Sequence, residues 1–146
     1  MEDNLLLFFT GFSRKASDIL QDQEDKSILK DKEMFKNLDF IKSIGLESKI
    51  ALEGNNLIEF GKLMHEHWLF KKQRSKNISN KFINELYDIA FENGAVGGKL
   101  VGAGGGGFLM FYANDKSKLR GIMRKERLEE VRFKFDYDGT KVVLRS

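Results

Sequence analysis

The sequence contains no cysteine and no proline, and each absence excludes a class of explanation. Without cysteine there are neither disulfide bridges nor thiolate metal sites, which is typical of a cytoplasmic protein, and we expect that location. Without proline, no segment has the composition of a stiff linker. Long apolar runs are also missing, so we predict no membrane-spanning helix. The acidic N-terminus, MEDNLLLFFTG, lacks the basic start of a signal peptide.

An excess of charge of one sign is missing as well. The chain has 25 basic and 22 acidic residues among 146, a net charge of +3. Lysines and arginines alternate with acids, as in KDKEMFK and MRKERLEE, whereas nucleic-acid binders concentrate basic charge on one face. We therefore predict solvated helix faces and no nucleic-acid or membrane partner. The length fits one domain, 1–146, with a core of its own.

Histidine is scarce, with only His65 and His67 in HEHW. If this segment is helical, residues at spacing i, i+2 point about 200° apart and cannot share a metal ion. The H-E-x-x-H zinc pattern also fails, because Trp68 and Leu69 follow. We predict no metal site.

Four short segments have the patterns of strands. Leu5–Thr10 and Phe108–Ala113 are continuous apolar runs that predict buried strands. Val131–Phe135 alternates in the period of a half-exposed strand. The turn sequence DYDG then predicts a hairpin with Thr140–Leu144 as the returning strand.

Helical patterns fill the rest of the chain. Ser13 is a candidate N-cap for a first helix through Gln23, and a long polar helix is predicted from about Lys26 to Leu52. Three further helices are predicted in GNNLIEFGKLMHEHWLFKKQ after Asn55 or Asn56, in SNKFINELYDIAFENG up to a left-handed cap at Gly94, and from Asn114 or Asp115 to about Leu128. Together the elements predict an α+β fold, with an antiparallel or mixed sheet of four to five strands and helices mainly on one face.

The densest feature is GAVGGKLVGAGGGGFLMFYA, residues 94–113. Residues 102–107 match G-x-G-x-x-G, but that pattern indicates a dinucleotide site only when it opens a helix, and here a strand follows. The Walker pattern is absent because Leu100 follows Lys99. A strand–loop–strand connection needs one or two glycines. Four in a row, from Gly104 to Gly107, favour a loop whose backbone N–H groups approach an anion, with Lys99 adding a charge.

The segment GGKLVGAGGGGF resembles the third signature motif of the GHMP kinases (galactokinase, homoserine kinase, mevalonate kinase and phosphomevalonate kinase). The segments LLLFFTGFSRKASDIL, LIEFGKLMHEHWLFKK and ISNKFINELYDIAFENGAVGGKL resemble the C-terminal half of the heptose-phosphate kinase branch. The resemblance runs from Leu5 to about Leu144. Many relatives have Thr where this chain has Val101, which removes a hydroxyl near phosphate, although the heptose branch often lacks that threonine.

The resemblance implies a ferredoxin-like C-terminal, substrate-side domain. It implies substrate and phosphate binding by Lys99, Gly102, Ala103, Gly104, Gly105, Gly106 and Gly107. It also makes His65 and Trp68 candidates for the substrate side, although a partly buried aromatic with a surface histidine remains an alternative. Arg14 is a further candidate, because guanidinium binds phosphate in a bidentate manner, while Ser13 beside it also reads as a plain helix cap. No catalytic residue is assigned.

The ATP loop of such kinases, a Pro-x-x-x-Gly-Leu-Gly-Ser-Ser run, does not occur in this chain. We therefore expect a missing N-terminal half as partner, with ATP and Mg2+ serving the complete kinase and a sugar phosphate as substrate. Phosphoryl transfer depends on those parts, so the isolated chain is expected to be inactive. It is also expected to self-associate through exposed apolar surface. The alternative is a stand-alone ferredoxin-like module that binds a sugar phosphate or nucleotide.

Overall fold

The computed structural model describes residues 1–12, 15–29 and 31–140. Within these residues there are five α-helices, four β-strands and a short 3-10 turn, Glu2–Asn4. In chain order the elements are β1 (Leu5–Phe9), α1 (Ala16–Ile28), α2 (Lys32–Glu53), α3 (Leu57–Gln73), α4 (Lys81–Glu92), β2 (Ala95–Val101), β3 (Phe108–Ala113), α5 (Lys116–Lys125) and β4 (Glu129–Glu130). None of these helices is long and apolar enough to cross a membrane.

The four strands form one antiparallel sheet in the order β2-β3-β1-β4. With helices between β1 and β2 and between β3 and β4, this is the βαββαβ arrangement of ferredoxin-like folds. The predicted α+β class is therefore confirmed. The glycine loop that follows β2 joins this edge strand to its neighbour β3, so it lies at one end of the sheet, where Lys71 of α3 bonds it.

Side-chain caps fix where most helices begin. Asp31, Asn56, Asn80 and Asp115 each accept a hydrogen bond from a backbone N–H in the first turn of α2, α3, α4 and α5. Asn56 and Asp115 were predicted for this role. The prediction of one helix from Lys26 to Leu52 was wrong, because Asp31 opens a separate helix three residues after α1 ends. The predicted cap Ser13 lies outside the described residues.

The C-terminal strands were predicted less well. Residues 131–135 form no strand, and β4 is limited to Glu129–Glu130. The alternation of apolar and charged residues has another cause. The side chains of Phe133 and Phe135 are partly buried against the cluster of Leu5 and Tyr112, without pairing in the sheet. Of the predicted returning strand at 140–144, residues 141–144 lie outside the described part of the chain.

The core lies between the sheet and the helices. Its larger cluster joins Leu6, Phe8, Leu109 and Phe111 of the central strands to residues of α1, α3, α4 and α5. Helix α3 reaches this cluster through Trp68, which is completely buried. The sheet is thereby fixed to α3, and α3 becomes the element that holds side chains against the β2 edge.

Two glycines allow α3 to lie very close to β2. A Cβ built on Gly97 would be 1.8 Å from the carbonyl oxygen of Gly61, and a Cβ on Gly61 would be 2.9 Å from Cγ1 of Val96. The first clash is with backbone, so the approach requires glycine at position 97, whereas the second is with side chains of β2 and β3 that would have to shift. The close approach brings the C-terminal half of α3 beside the end of β2.

Gly97→Ala is expected to lower the free energy of unfolding by about 3 kcal/mol or more, because the new methyl group would push α3 away from β2. Gly121→Ala in α5 is the matched control, since nothing lies within 4 Å of its added Cβ. That control should raise stability by about 0.5–1 kcal/mol. Urea unfolding of both variants checks the prediction, and equal effects would contradict the close approach.

Candidate functional site

The glycine loop, residues 102–107, connects β2 to β3 in a conformation that most residues cannot adopt. Gly102, Gly104, Gly105 and Gly107 have φ values of +84°, +126°, +77° and +102°. These values lie in the left-handed region, where a Cβ is strained. The number of glycines therefore has a direct conformational cause.

The loop is also packed tightly against its own chain. A Cβ on Gly104 would be 2.9 Å from Cα of Ile78, and a Cβ on Gly106 would be 2.8 Å from the carbonyl oxygen of Phe12. The amide of Gly105 donates to the Ile78 carbonyl at 2.8 Å, and the amide of Gly107 donates to the Phe12 carbonyl at 2.8 Å. Internal packing thus accounts for Gly104 and Gly106.

The remaining loop amides make no such bonds, and they differ in their exposure. Among the described residues, the amides of Gly102, Ala103, Gly104 and Gly106 have no hydrogen-bond acceptor. Gly104 and Gly106 are buried, whereas Gly102 is exposed and Ala103 is half-buried. Gly102 and Ala103 therefore present backbone N–H groups where an anion can reach them.

Those two residues form one wall of a basic pocket. Its other walls carry His67 and Lys71 from one face of α3, Arg74 from the C-terminal cap of the same helix, and Lys99 from β2. Apolar and amide side chains of α1, Ala16, Leu20 and Gln23, close the remaining side. The cavity measures about 440 Å³, within the range of small-molecule sites.

Lys71 connects the pocket to the loop. Its side chain is buried, with 7% exposure, and its Nζ donates to the carbonyl oxygens of Leu100 at 3.0 Å and Gly102 at 2.5 Å. An ammonium group has three N–H donors, so one remains after these two bonds. Lys71 therefore holds the start of the loop and still offers a charged donor to the pocket.

The charges of the pocket are not neutralised from within. Among the described residues, no ion pair includes Lys71, Arg74 or Lys99. Burial, with Lys99 and Arg74 nearby, lowers the pKa of Lys71 to about 8. Burial and the neighbouring charge of Arg74 also lower the pKa of Lys99, and burial lowers that of Arg74. The cations thus raise one another's energy in a low-dielectric setting.

His67 is neutral in this setting, because burial and the three neighbouring cations lower its pKa to about 4. Its Nδ1 is buried without a hydrogen-bond partner among the described residues, and so is one terminal nitrogen, Nη2, of Arg74. The Nε of Arg74 is oriented by the side-chain oxygen of Asn37 at 2.8 Å. The indole Nε1 of Trp68, in the core, is unpartnered as well, so the features that favour a ligand here are the lining of the pocket and its unneutralised charge.

The predicted residues on α3 lie elsewhere. Trp68 is in the core, with the ammonium of Lys72 5.5 Å from its ring centroid. The Nδ1 of His65 is 2.8 Å from the Tyr87 hydroxyl, and its ring stacks on Phe91 at 4.4 Å. Neither residue lines the basic pocket.

Some of the other predicted site residues line the pocket, and one lies outside the described residues. The structure brings Lys99, Gly102 and Ala103 together in the pocket. Arg14 lies outside the described residues. The substrate-side roles of Arg14, His65 and Trp68 therefore remain predictions.

Sequence reasoning missed His67, Lys71 and Arg74, although a signal was present. These residues recur at spacings of four and three, which places them on one face of a helix without an acid between them on that face. A second face of α3 carries Gly61, His65 and Trp68 and is rotated by about 100–200° around the helix axis from the first. The second face is the one that packs toward the sheet and the core. The glycine packing against β2 decides this rotation.

The fit to the expected cofactors is partial. The loop amides and the cations suit phosphate groups. Among the described residues, no group of three or more histidines or acids is placed to hold a metal ion, so the carboxylate ligands that Mg2+ prefers are not supplied here.

The fold and the site together define a ferredoxin-like α+β domain with a glycine loop beside a basic pocket. The family model of the C-terminal domain of GHMP kinases matches residues 48–127, more than half of the chain. The chain therefore belongs to the GHMP kinase C-terminal family.

Known relatives agree with this assignment. The chain is 32% identical over 143 residues to D-glycero-alpha-D-manno-heptose 7-phosphate kinase of Campylobacter jejuni, covering 97% of this chain and 42% of the relative. It is 30% identical over 130 residues to bifunctional fucokinase/GDP-fucose pyrophosphorylase of Arabidopsis thaliana, covering 89% of this chain and 12% of the relative. The crystal structure of L. major mevalonate kinase in complex with R-mevalonate shares the fold, with a TM-score of 0.75 and 20% identity. The match covers 84% of this chain and 37% of that kinase chain. The chain thus spans less than half the length of these relatives.

The lowered pKa of Lys71 predicts a pH dependence of stability. Between pH 8 and 10.5 the unfolded chain holds the Lys71 proton and the folded chain releases it. The Lys71 contribution to the free energy of unfolding should therefore rise by about 1–3 kcal/mol across this window and stay constant below it. The free energy of unfolding is measured in urea for the wild type and for Lys71→Met at each pH. The difference between the two values isolates the contribution of Lys71.

Lys76→Met is the control, because Lys76 is an exposed lysine just beyond α3. The difference between the wild type and Lys76→Met should be flat over the same window. A flat difference for Lys71→Met as well would show that Lys71 keeps its proton in the folded chain.

Proposed function

We propose that this chain is the C-terminal, substrate-side half of an ATP-dependent sugar kinase of the heptose-phosphate type. The observation that carries the proposal is the glycine loop, whose accessible amides lie beside the cations of Lys71 and Lys99. Membership of the GHMP kinase C-terminal family and the similarity to the heptose 7-phosphate kinase of Campylobacter jejuni support it.

In this proposal the residues act by positioning and by electrostatics. The amides of Gly102 and Ala103, together with Lys99, contact oxygens of the substrate and of the phosphoryl group. Lys71 keeps the loop in place through its bonds to Leu100 and Gly102. An acid or base for the sugar hydroxyl, the magnesium ligands and the ATP loop come from an N-terminal half. ATP bound there supplies the transferred phosphoryl group.

The direct test is to join or mix the chain with a GHMP-type ATP-binding half, from the neighbouring coding sequence or from the Campylobacter relative. ATP-dependent phosphorylation of heptose 7-phosphate is then assayed. Activity should require both halves, because neither holds a complete phosphoryl-transfer site. Turnover by this chain alone would overturn the proposal. The proposal would also be overturned if the two halves were shown to form a complex and that complex phosphorylated none of heptose 7-phosphate, fucose, galactose and mevalonate.

A loop variant tests the role of the glycines. Gly104→Ala should lower kcat/KM of the joined enzyme by about tenfold or more, because a Cβ at φ +126° and 2.9 Å from Ile78 displaces the loop. Gly121→Ala in α5 is the matched control with open space around its Cβ. Thermal unfolding verifies that both variants fold. Equal activity of the two folded variants would contradict a role for the loop.

Exposed apolar residues on α2 support the need for a partner half. Phe35, Leu46 and Ile50 are 46%, 60% and 68% exposed. We expect the isolated chain to self-associate at high concentration and to become monodisperse when the N-terminal half binds. Light scattering at increasing concentration checks this, and a clean monomer throughout would contradict it.

The second candidate is the stand-alone module for a sugar phosphate or nucleotide, favoured by one observation: the basic pocket is built within a single chain. Calorimetry of the isolated chain separates the two. Tight ATP binding without a partner would support the module, and weak or absent ATP binding would support the kinase half.

A further inference from the structure

The basic face of α3 is not explained by the glycine loop. His67, Lys71 and Arg74 come from one helix, and only Lys71 bonds the loop. If the pocket served the loop alone, one lysine would suffice. Arg74 is instead held by Asn37, whose side-chain nitrogen in turn donates to the Phe70 carbonyl at 2.7 Å. A guanidinium fixed in this way is preorganised for a ligand.

The charge of the pocket selects the class of ligand. Lys71, Arg74 and Lys99 are cations and His67 is neutral near pH 7, so the pocket carries close to three positive charges. Partly buried cations without counterions are unfavourable, and a ligand with two negative charges relieves more of that energy than one with a single charge. A phosphate monoester has close to two charges near pH 7 and three acceptor oxygens.

The donors match those oxygens in number and type. Lys71 has one N–H beyond its two carbonyl bonds, and the guanidinium of Arg74 lines the pocket with N–H groups besides the Nε that bonds Asn37. The residues Gly102 and Ala103 form the adjoining wall, where the loop meets the rest of the substrate. Charge-assisted bonds from lysine and arginine to phosphate are among the strongest hydrogen bonds in proteins. Lys99 adds charge at the border of the cavity.

We propose that the pocket formed by His67, Lys71, Arg74 and Lys99 binds the phosphate monoester that an acceptor sugar already carries, as an anchor distinct from the phosphoryl group transferred by the kinase. The identity of the acceptor rests on the proposed function, whereas phosphate binding by the pocket does not. Anchoring at one end holds the sugar hydroxyl at the glycine loop. The pocket thereby makes a phosphorylated sugar a better substrate than the bare sugar.

The binding test uses the isolated chain and needs no activity. Isotope-labelled chain is titrated with inorganic phosphate, with a hexose 6-phosphate and with ATP, and amide shifts are followed by NMR. Phosphate and the hexose phosphate should shift Gly102 and Ala103, with acetate, a monoanion, binding much more weakly. Arg74→Gln and Lys99→Gln should each weaken phosphate binding by about ten- to a hundredfold. Arg74→Gln leaves the Lys71 bonds to the loop in place.

Lys76→Gln is the matched control, an exposed lysine that does not line the pocket. It should bind phosphate as the wild type does. Melting temperatures confirm that the variants fold. Phosphate affinity that is equal in Arg74→Gln, Lys99→Gln and Lys76→Gln would overturn the proposal, and so would equal affinity for acetate and phosphate.

The joined kinase distinguishes the sources of the phosphate. The ratio of kcat/KM for a phosphorylated sugar to that for the same sugar without phosphate should fall about tenfold or more in Arg74→Gln and Lys99→Gln. A rise confined to the KM for ATP would assign the pocket to the nucleotide and overturn the anchor role. If the joined protein is inactive while the isolated chain still binds phosphate through Arg74 and Lys99, the kinase function fails and the phosphate site stands.

Discussion

The close approach of α3 to β2 is the constraint on which the rest of the structure depends. Two backbones meet where Gly61 faces Gly97, and no side chain fits between them. About three turns further along the helix, this contact brings Lys71 within hydrogen-bonding distance of the carbonyls at the end of β2. The rotation of α3 that buries Trp68 also turns the basic face toward the glycine loop. The same orientation of α3 therefore determines both the packing of the core and the assembly of the site.

The glycine loop has a packing role and, in the proposed function, a binding role, and the sequence does not separate the two. Its middle is packed against Ile78 and Phe12, where even a methyl group would overlap the backbone. Its start, at Gly102 and Ala103, is open to the basic pocket. A rigid, internally bonded middle keeps the open amides in one position, which is what an anion site requires, because donors fixed in advance lose little entropy on binding. The packing role thus supports the binding role.

Prediction from the sequence succeeded where a signal is local. The apolar run of β3, the caps Asn56 and Asp115, and the α+β class all follow from nearest-neighbour patterns. It failed where tertiary contacts decide. Phe133 and Phe135 alternate as in a strand but pack on a cluster without sheet pairing. The break before α2 is a different failure, because the Asp31 cap is a local signal that the sequence analysis overlooked. The basic face of α3 was visible as a spacing, yet only the glycine contact determines which face meets the pocket.

The distribution of charge defines how the chain would work within a larger kinase. The described residues concentrate cations at the end of α3 and offer no cluster of acids for a metal ion. Phosphoryl transfer needs both a positive environment for phosphate oxygens and metal ligands with a nucleotide loop. In the proposed function, a domain with the first set alone would hold and orient a phosphorylated acceptor, and a second domain with the other set would bring the donor. Because Lys71 bonds the Gly102 carbonyl and also lines the pocket, an anion bound there would be coupled to the position of the loop through this one side chain.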